Sequence, residues 1–177
     1  MEQAHDPSAV LVSPGGTSTA APTAAVLSRR ITPYVALALL VIALDQGTKF
    51  FIRAWLAEGE AWPSTDALLA ISHVENSGAA FGILQGAGPF LLVVTVIGIA
   101  SMLVYLWWFP PTQRLYIAAL ALILGGAVGN LIDRVSNGSV TDFIDPAYYP
   151  AFNIADSSIV IGAATIAIVS FFEGRRA

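Results

Sequence analysis

Five aspartates, Asp45, Asp133, Asp142, Asp145 and Asp156, lie in or beside stretches that carry few other charges. Asn153 and Asp156 are three residues apart, so on a helix they share a face. Asp142 lies a loop away, and a loop of that length can bring it beside Asp156. Two carboxylates a few ångströms apart resist ionising together, so such a pair holds one proton. One member then serves as general base on a water while the other donates a hydrogen bond to a scissile carbonyl. That is peptide hydrolysis without metal, serine or cysteine. From the residues alone a plainer reading stays open, in which each aspartate is a helix cap or an ion-pair partner.

Other polar residues fall at regular spacings. Asp45 and Lys49 are one helical turn apart with the acid first, the favourable order for an ion pair. Gly126, Asn130 and Asp133/Arg134 recur at four, three and four residues and line one helical face. Gly125 and Gly129 form a small-xxx-small pair that lets another helix approach closely. The chain has no cysteine, which removes disulfides, thiolate metal sites and a cysteine nucleophile. Its two histidines, His5 and His73, do not cluster in sequence, so neither a histidine metal site nor a Ser-His-Asp triad is expected. No metal or cofactor is expected.

These residues must be positioned by membrane helices. Hydrophobic residues make up 56% of the chain and charged residues 11%, where a soluble domain carries about a quarter charged residues. Four apolar segments, about Pro33–Ile52, Phe90–Phe109, Leu115–Ile132 and Ile154–Phe172, each approach the roughly 20 residues that cross a bilayer. In lipid the backbone must satisfy its own hydrogen bonds, so each is a helix. Arg29 and Arg30 precede the first, Arg114 sits between the second and third, and Arg175 and Arg176 follow the fourth. The positive-inside rule places all of these in the cytoplasm, with both termini, and the loops 53–89 and 135–152 outside. Asp45, Lys49, Asn130, Asp133, Arg134, Asn153 and Asp156 then fall at one depth, the outer end, with Asn76, Asp142 and Asp145 in the adjoining loops. Charges inside a membrane are costly and mark function.

The remaining sequence is less specific. Residues 1–30, rich in Ala, Ser, Thr, Pro and Gly, read as a disordered tail before a four-helix membrane domain over 31–177. Ala67 to Val74 could form a short strand or lie along the membrane surface, and Trp55 and Trp62 fit an interfacial belt. There is no basic patch, so no nucleic-acid partner is expected. A proton- or ion-coupled transporter would spread its polar residues across the full membrane depth, whereas here they gather at one end. A catalytically silent binding subunit is the other rival, and Asp142→Asn would leave its function intact.

Five blocks resemble the lipoprotein signal peptidase (signal peptidase II) family. They are Asp45-Gln46-Gly47-Thr48-Lys49, Asn76-Ser77-Gly78-Ala79-Ala80-Phe81, Gly125 to Arg134, Val140-Thr141-Asp142-Phe143 and Phe152-Asn153-Ile154-Ala155-Asp156. They occur in the family's order across residues 33–174. The resemblance implies a four-helix membrane peptidase with a small β-rich extracytoplasmic cradle and a mobile flap formed by the first outer loop. It implies that Asp142 and Asp156 are catalytic. It further implies that Asp45, Lys49, Asn76, Gly126, Asn130, Arg134 and Asn153 support the site or contact substrate or inhibitor. Expected partners are diacylglyceryl-modified prolipoproteins, cut just before the lipidated cysteine, together with membrane lipid and globomycin-type inhibitors. The protein is expected to be a monomer in the bacterial cytoplasmic (inner) membrane, with its site at the extracytoplasmic face. One position departs from the family's pattern: Thr141 stands where an aliphatic residue is common.

Overall fold

The computed structural model describes residues 24–64, 67–78 and 87–175. Residues 1–23, most of the stretch read as a tail, lie outside these, and so does the Ala79-Ala80-Phe81 end of the second block. The expectation of a flap in the first outer loop is not addressed by the described part of that loop. Helix α1 runs over Ala24–Trp55, and so begins within the stretch assigned to the tail. It is followed by strands β1, Ala61–Trp62, and β2, Leu69–Asn76, then helices α2, Gly88–Trp108, and α3, Arg114–Asn137. Strand β3, Val140–Pro146, leads into α4, Ile154–Gly174.

All four helices are long and apolar enough to cross a membrane. The burial pattern inverts that of a soluble protein. Leu39, Phe50, Val104 and Trp107 are exposed, while the largest fully buried side chains are Lys49, Asn153, Thr141, Asp45, Asp133 and Asp142. Lipid solvates the apolar exterior, so the helices have no hydrophobic drive towards one another. Small residues and polar contacts must hold them together instead.

Helix α3 packs against α1, α2 and α4, and its glycines permit close approach to α1 and α4. A Cβ on Gly125 would sit 2.8 Å from the Ala38 carbonyl oxygen of α1, and one on Gly126 would sit 2.4 Å from that of Ala155 on α4. Gly126 is thus placed at the α3–α4 crossing, beneath the N-terminal turn that carries Asp156. Gly126→Ala is expected to force α3 and α4 apart and lower stability by about 1–3 kcal/mol or more. Thermal unfolding in detergent measures this, and an unchanged melting temperature would contradict the packing role.

The stretch between Ala67 and Val74 resolves as a strand rather than a surface-lying segment. β1, β2 and β3 form an antiparallel sheet in that order. The segment 135–152, expected as a loop, holds β3, which pairs with β2 from Leu69↔Pro146 to Asn76↔Val140. That pairing joins the two outer loops, which are far apart in sequence. Only the sequence pattern of β2 hinted at a strand, because β3 finds its partner through tertiary contact. A register shift between Ile71 and Val74 interrupts the ladder. Gly138, at φ 79°, ends α3 in the left-handed conformation that glycine adopts without strain, and it turns the chain directly into β3.

Candidate active site

Two short linkages deliver the aspartates. Asn153 caps α4, its side-chain oxygen accepting the Asp156 backbone N–H at 2.9 Å. This cap fixes Asp156 in the first turn. Asp142 comes from the middle of β3. The same Asn153 spans the gap, because its Nδ2 donates to Asp142 Oδ1 at 2.7 Å. One asparagine therefore holds both aspartates, Asp156 by its backbone N–H and Asp142 by its carboxylate.

Two further asparagines complete the frame. Asn76, at the end of β2, donates from Nδ2 to Asp142 Oδ2 at 2.9 Å. Asn130, on α3, donates from Nδ2 to Asp156 Oδ1 at 2.7 Å. The direction of the Asn130 amide is set from behind, since its Oδ1 accepts from Lys49 Nζ at 2.9 Å and from Asn153 Nδ2 at 3.2 Å. With its oxygen turned to the ammonium, its N–H faces the carboxylate.

Lys49 is fully buried and makes three contacts, as many as its ammonium has protons. Besides Asn130 it meets Asp45 Oδ2 at 2.8 Å and Asp133 Oδ2 at 3.0 Å. Asp45 Oδ1 also accepts the Ala155 backbone N–H at 2.9 Å, tying α1 to the start of α4. Gln46 donates to Asp133 Oδ1 at 3.1 Å and to the Gly129 carbonyl at 3.0 Å. The expected Asp45–Lys49 pair is therefore a three-member cluster. Asp133, one of the polar residues at the outer end of α3 but not among those the family resemblance implies for the site, is the second partner of Lys49.

Both aspartates line one cavity of about 240 Å³ together with Asn76, Asn130 and Arg134. A second cavity of about 360 Å³ shares Asn130, Arg134 and Asp156 and continues between α2, α3 and α4 along Ile99, Met102, Leu124 and Ile159. The polar cluster thus opens onto an apolar groove. Asp145, opposite Ala70 in the ladder, lines neither cavity. Among the described residues no group of three His, Cys, Asp or Glu side chains is arranged to hold a metal ion.

Burial pushes the Asp142 carboxyl up to about 7. The hydrogen bonds from Asn76 and Asn153 and the charge of Lys49 pull it down, while the charge of Asp156 adds to the rise. A carboxyl so placed can hold a proton near neutral pH, which a shared-proton pair requires.

Comparison with known proteins finds relatives over most of the chain. The family described as Signal peptidase (SPase) II matches residues 37–172. A lipoprotein signal peptidase of Caldanaerobacter subterraneus is 43% identical over 141 residues, covering 79% of this chain and 97% of the relative. Another, of Geobacillus thermodenitrificans, is 42% identical over 147 residues, covering 81% and 92%. A bacterial membrane enzyme solved by the in meso method at 2.3 Å superposes with a TM-score of 0.75 at 34% identity, covering 81% of this chain and 90% of that one. A second such structure, at 1.9 Å, gives a TM-score of 0.70 at 35% identity, covering 78% and 92%. The matched span holds every residue of the carboxylate–asparagine frame, and the chain belongs to the signal peptidase II family, a multi-pass membrane peptidase of the bacterial inner membrane.

Proposed function

We propose that Asp142 and Asp156 are the catalytic pair with which this chain removes the signal peptide from diacylglyceryl-modified prolipoproteins, cutting just before the lipidated cysteine. The observation that carries the reading is the frame of Asn76, Asn130 and Asn153 around two carboxylates in one cavity. In this reading the pair holds one proton. The ionised member takes a proton from water as it attacks the scissile carbonyl, and the protonated member donates a hydrogen bond to that carbonyl oxygen. The tetrahedral intermediate then collapses with protonation of the leaving amine. Asn76, Asn130 and Arg134 face the peptide, and the buried Asn153 holds the two aspartates from behind. Asp45 and Lys49 hold Asn130 and α4 in place, and Gly126 admits α4 to its seat.

The apolar groove beside the polar cavity suits the lipid. Acyl chains between the helices keep the cysteine at the depth of the aspartates, and lipid binding energy aligns the bond. Purified protein is therefore expected to cleave a diacylglyceryl-modified precursor and to leave the same precursor, unmodified, essentially intact. Equal cleavage of both would overturn the role given to the lipid. Globomycin-type inhibitors are expected to occupy the same cavity, and the protein to act as a monomer. Co-purification of an active dimer that loses activity on dilution would contradict the monomer.

Both termini lie in the cytoplasm and the site faces outward, as the placement of Arg29, Arg30, Arg114, Arg175 and Arg176 indicates. The Trp55 and Trp62 rings, 6.1 Å apart where α1 meets the sheet, suit the outer interface. A single cysteine at position 138 is expected to react with an impermeant reagent added outside intact cells, and one at position 113 to remain unlabelled. The reverse pattern would overturn the topology.

A further inference from the structure

Side chains alternate between the faces of a strand. Asn76 and Asp142 share one face of the β2–β3 pair, so Glu75 and Thr141, opposite each other in the ladder, share the other. That second face is polar and closed in. The Thr141 hydroxyl donates to Glu75 Oε1 at 2.8 Å and accepts from Arg53 Nη1 at 2.8 Å. Its backbone N–H donates to Asp133 Oδ2 at 3.2 Å, and its side chain is fully buried. Glu75 also accepts from the Ser139 hydroxyl at 2.5 Å and meets His73 Nε2 at 3.1 Å. Arg53 lies one turn beyond Lys49 on α1, 3.6 Å from Asp133. Neither Glu75, Thr141 nor Arg53 lines the cavities at the aspartates.

The residue immediately before Asp142 therefore joins β3 to α1, α3 and β2. The backbone ladder alone holds Asp142 less well, because the register shift between Ile71 and Val74 falls beside the Val74↔Asp142 pair. Such irregularities re-aim side chains and weaken pairing locally. The cross-strand hydrogen bond restores the constraint on the far face.

We propose that Glu75 and Thr141, braced by Arg53, form a positioning clamp that holds β3 so that the Asp142 carboxylate meets the bond to be cut. This rests on the reading of Asp142 as catalytic. Thr141→Val keeps the shape of the side chain but leaves Arg53 and Glu75 facing a methyl group.

The test uses the purified full chain, a diacylglyceryl-modified precursor, and the variants Thr141→Val, Thr141→Ser, Glu75→Leu, the double Glu75→Leu/Thr141→Val and Asp142→Asn. Thr141→Val and Glu75→Leu are each expected to lower kcat about tenfold with KM little changed, as for lost hydrogen bonds to charged groups that act only through geometry. Thr141→Ser, which keeps the hydroxyl, is expected to retain near-normal kcat, and the double variant to be no worse than the poorer single one. Wild-type kcat in Thr141→Val and Glu75→Leu, with Asp142→Asn inactive, overturns the clamp and leaves the catalytic reading standing. Equal damage from Thr141→Ser and Thr141→Val, or losses that multiply in the double variant, also overturn it. Activity in Asp142→Asn overturns the catalytic reading beneath it.

Discussion

Asp142→Asn and Asp156→Asn are each expected to reduce cleavage by about 10³-fold or more, and the double variant to be no worse than either. The pair works as a unit, so removing one member leaves the other without its proton partner. Asparagine is nearly isosteric with aspartate; at position 156 it can still accept from Asn130, and at position 142 it keeps one of the two hydrogen bonds from Asn76 and Asn153 and gives up the other. The variants are therefore expected to insert and fold. Asp142→Asn carries a second signature. The Asp142 carboxyl lies near 7 in the fold against 3.8 when free, so the folded state binds this proton more tightly than the unfolded chain does. Below about pH 4 both states are protonated and Asp142 costs the fold nothing; the penalty grows as pH rises and is complete above about pH 7, on the order of a few kcal/mol. Asparagine removes it. In thermal unfolding, Asp142→Asn is expected to gain on wild type as pH rises from about 4 to about 8. A constant difference across that range would contradict the burial argument, and cleavage losses that multiply in the double variant would contradict the dyad.

Lys49→Met is expected to be the most destabilising single change in the polar cluster. It leaves Asp45 and Asp133, 0% and 1% exposed, without their shared cation. Breaking a buried pair in this way costs about 3–5 kcal/mol, because a charge is left uncompensated. Adding Asp45→Asn is expected to restore part of the loss. Asp133 then retains Arg53 at 3.6 Å and the Thr141 backbone N–H. Adding Asp133→Asn as well is expected to restore more. Melting temperatures in detergent for the three variants measure this order. If Lys49→Met proves no less stable than the double variant, the cluster is not held by charge neutralisation. Activity is expected to stay low in all three, since Asn130 loses the contact that turns its N–H towards Asp156.

The helices and the polar residues at their outer ends were legible because membrane insertion imposes strong rules on composition. A run such as Phe90 to Phe109 has no other stable use, and Asn130 or Asp156 in such company stands out at once. Asp45 and Lys49 were legible as a pair because both lie on one helix. Asp133 as the second partner of Lys49 was harder to see, for that contact crosses from α1 to α3 and depends on the close approach at Gly125 and Gly129. Strand β3 was read as loop because a short segment becomes a strand only on meeting its partner, here β2, more than sixty residues earlier. The Arg53–Thr141–Glu75 contacts were hidden for the same reason. Each residue alone looks like an ordinary loop or interface side chain, and only the sheet register sets them face to face. Asn153 shows the opposite case, since its spacing from Asp156 announced a shared face, and the structure adds that it is a cap whose amide also reaches Asp142.

The most direct measurement is cleavage of a diacylglyceryl-modified precursor by purified protein in excess chelator, with the products identified by mass spectrometry. Wild type and Asp145→Asn are expected to release the signal peptide and leave a diacylglyceryl-cysteine at the new N-terminus, while Asp142→Asn and Asp156→Asn release nothing. Loss of wild-type activity in chelator that zinc restores, or normal cleavage by Asp142→Asn and Asp156→Asn, would contradict a two-aspartate peptidase.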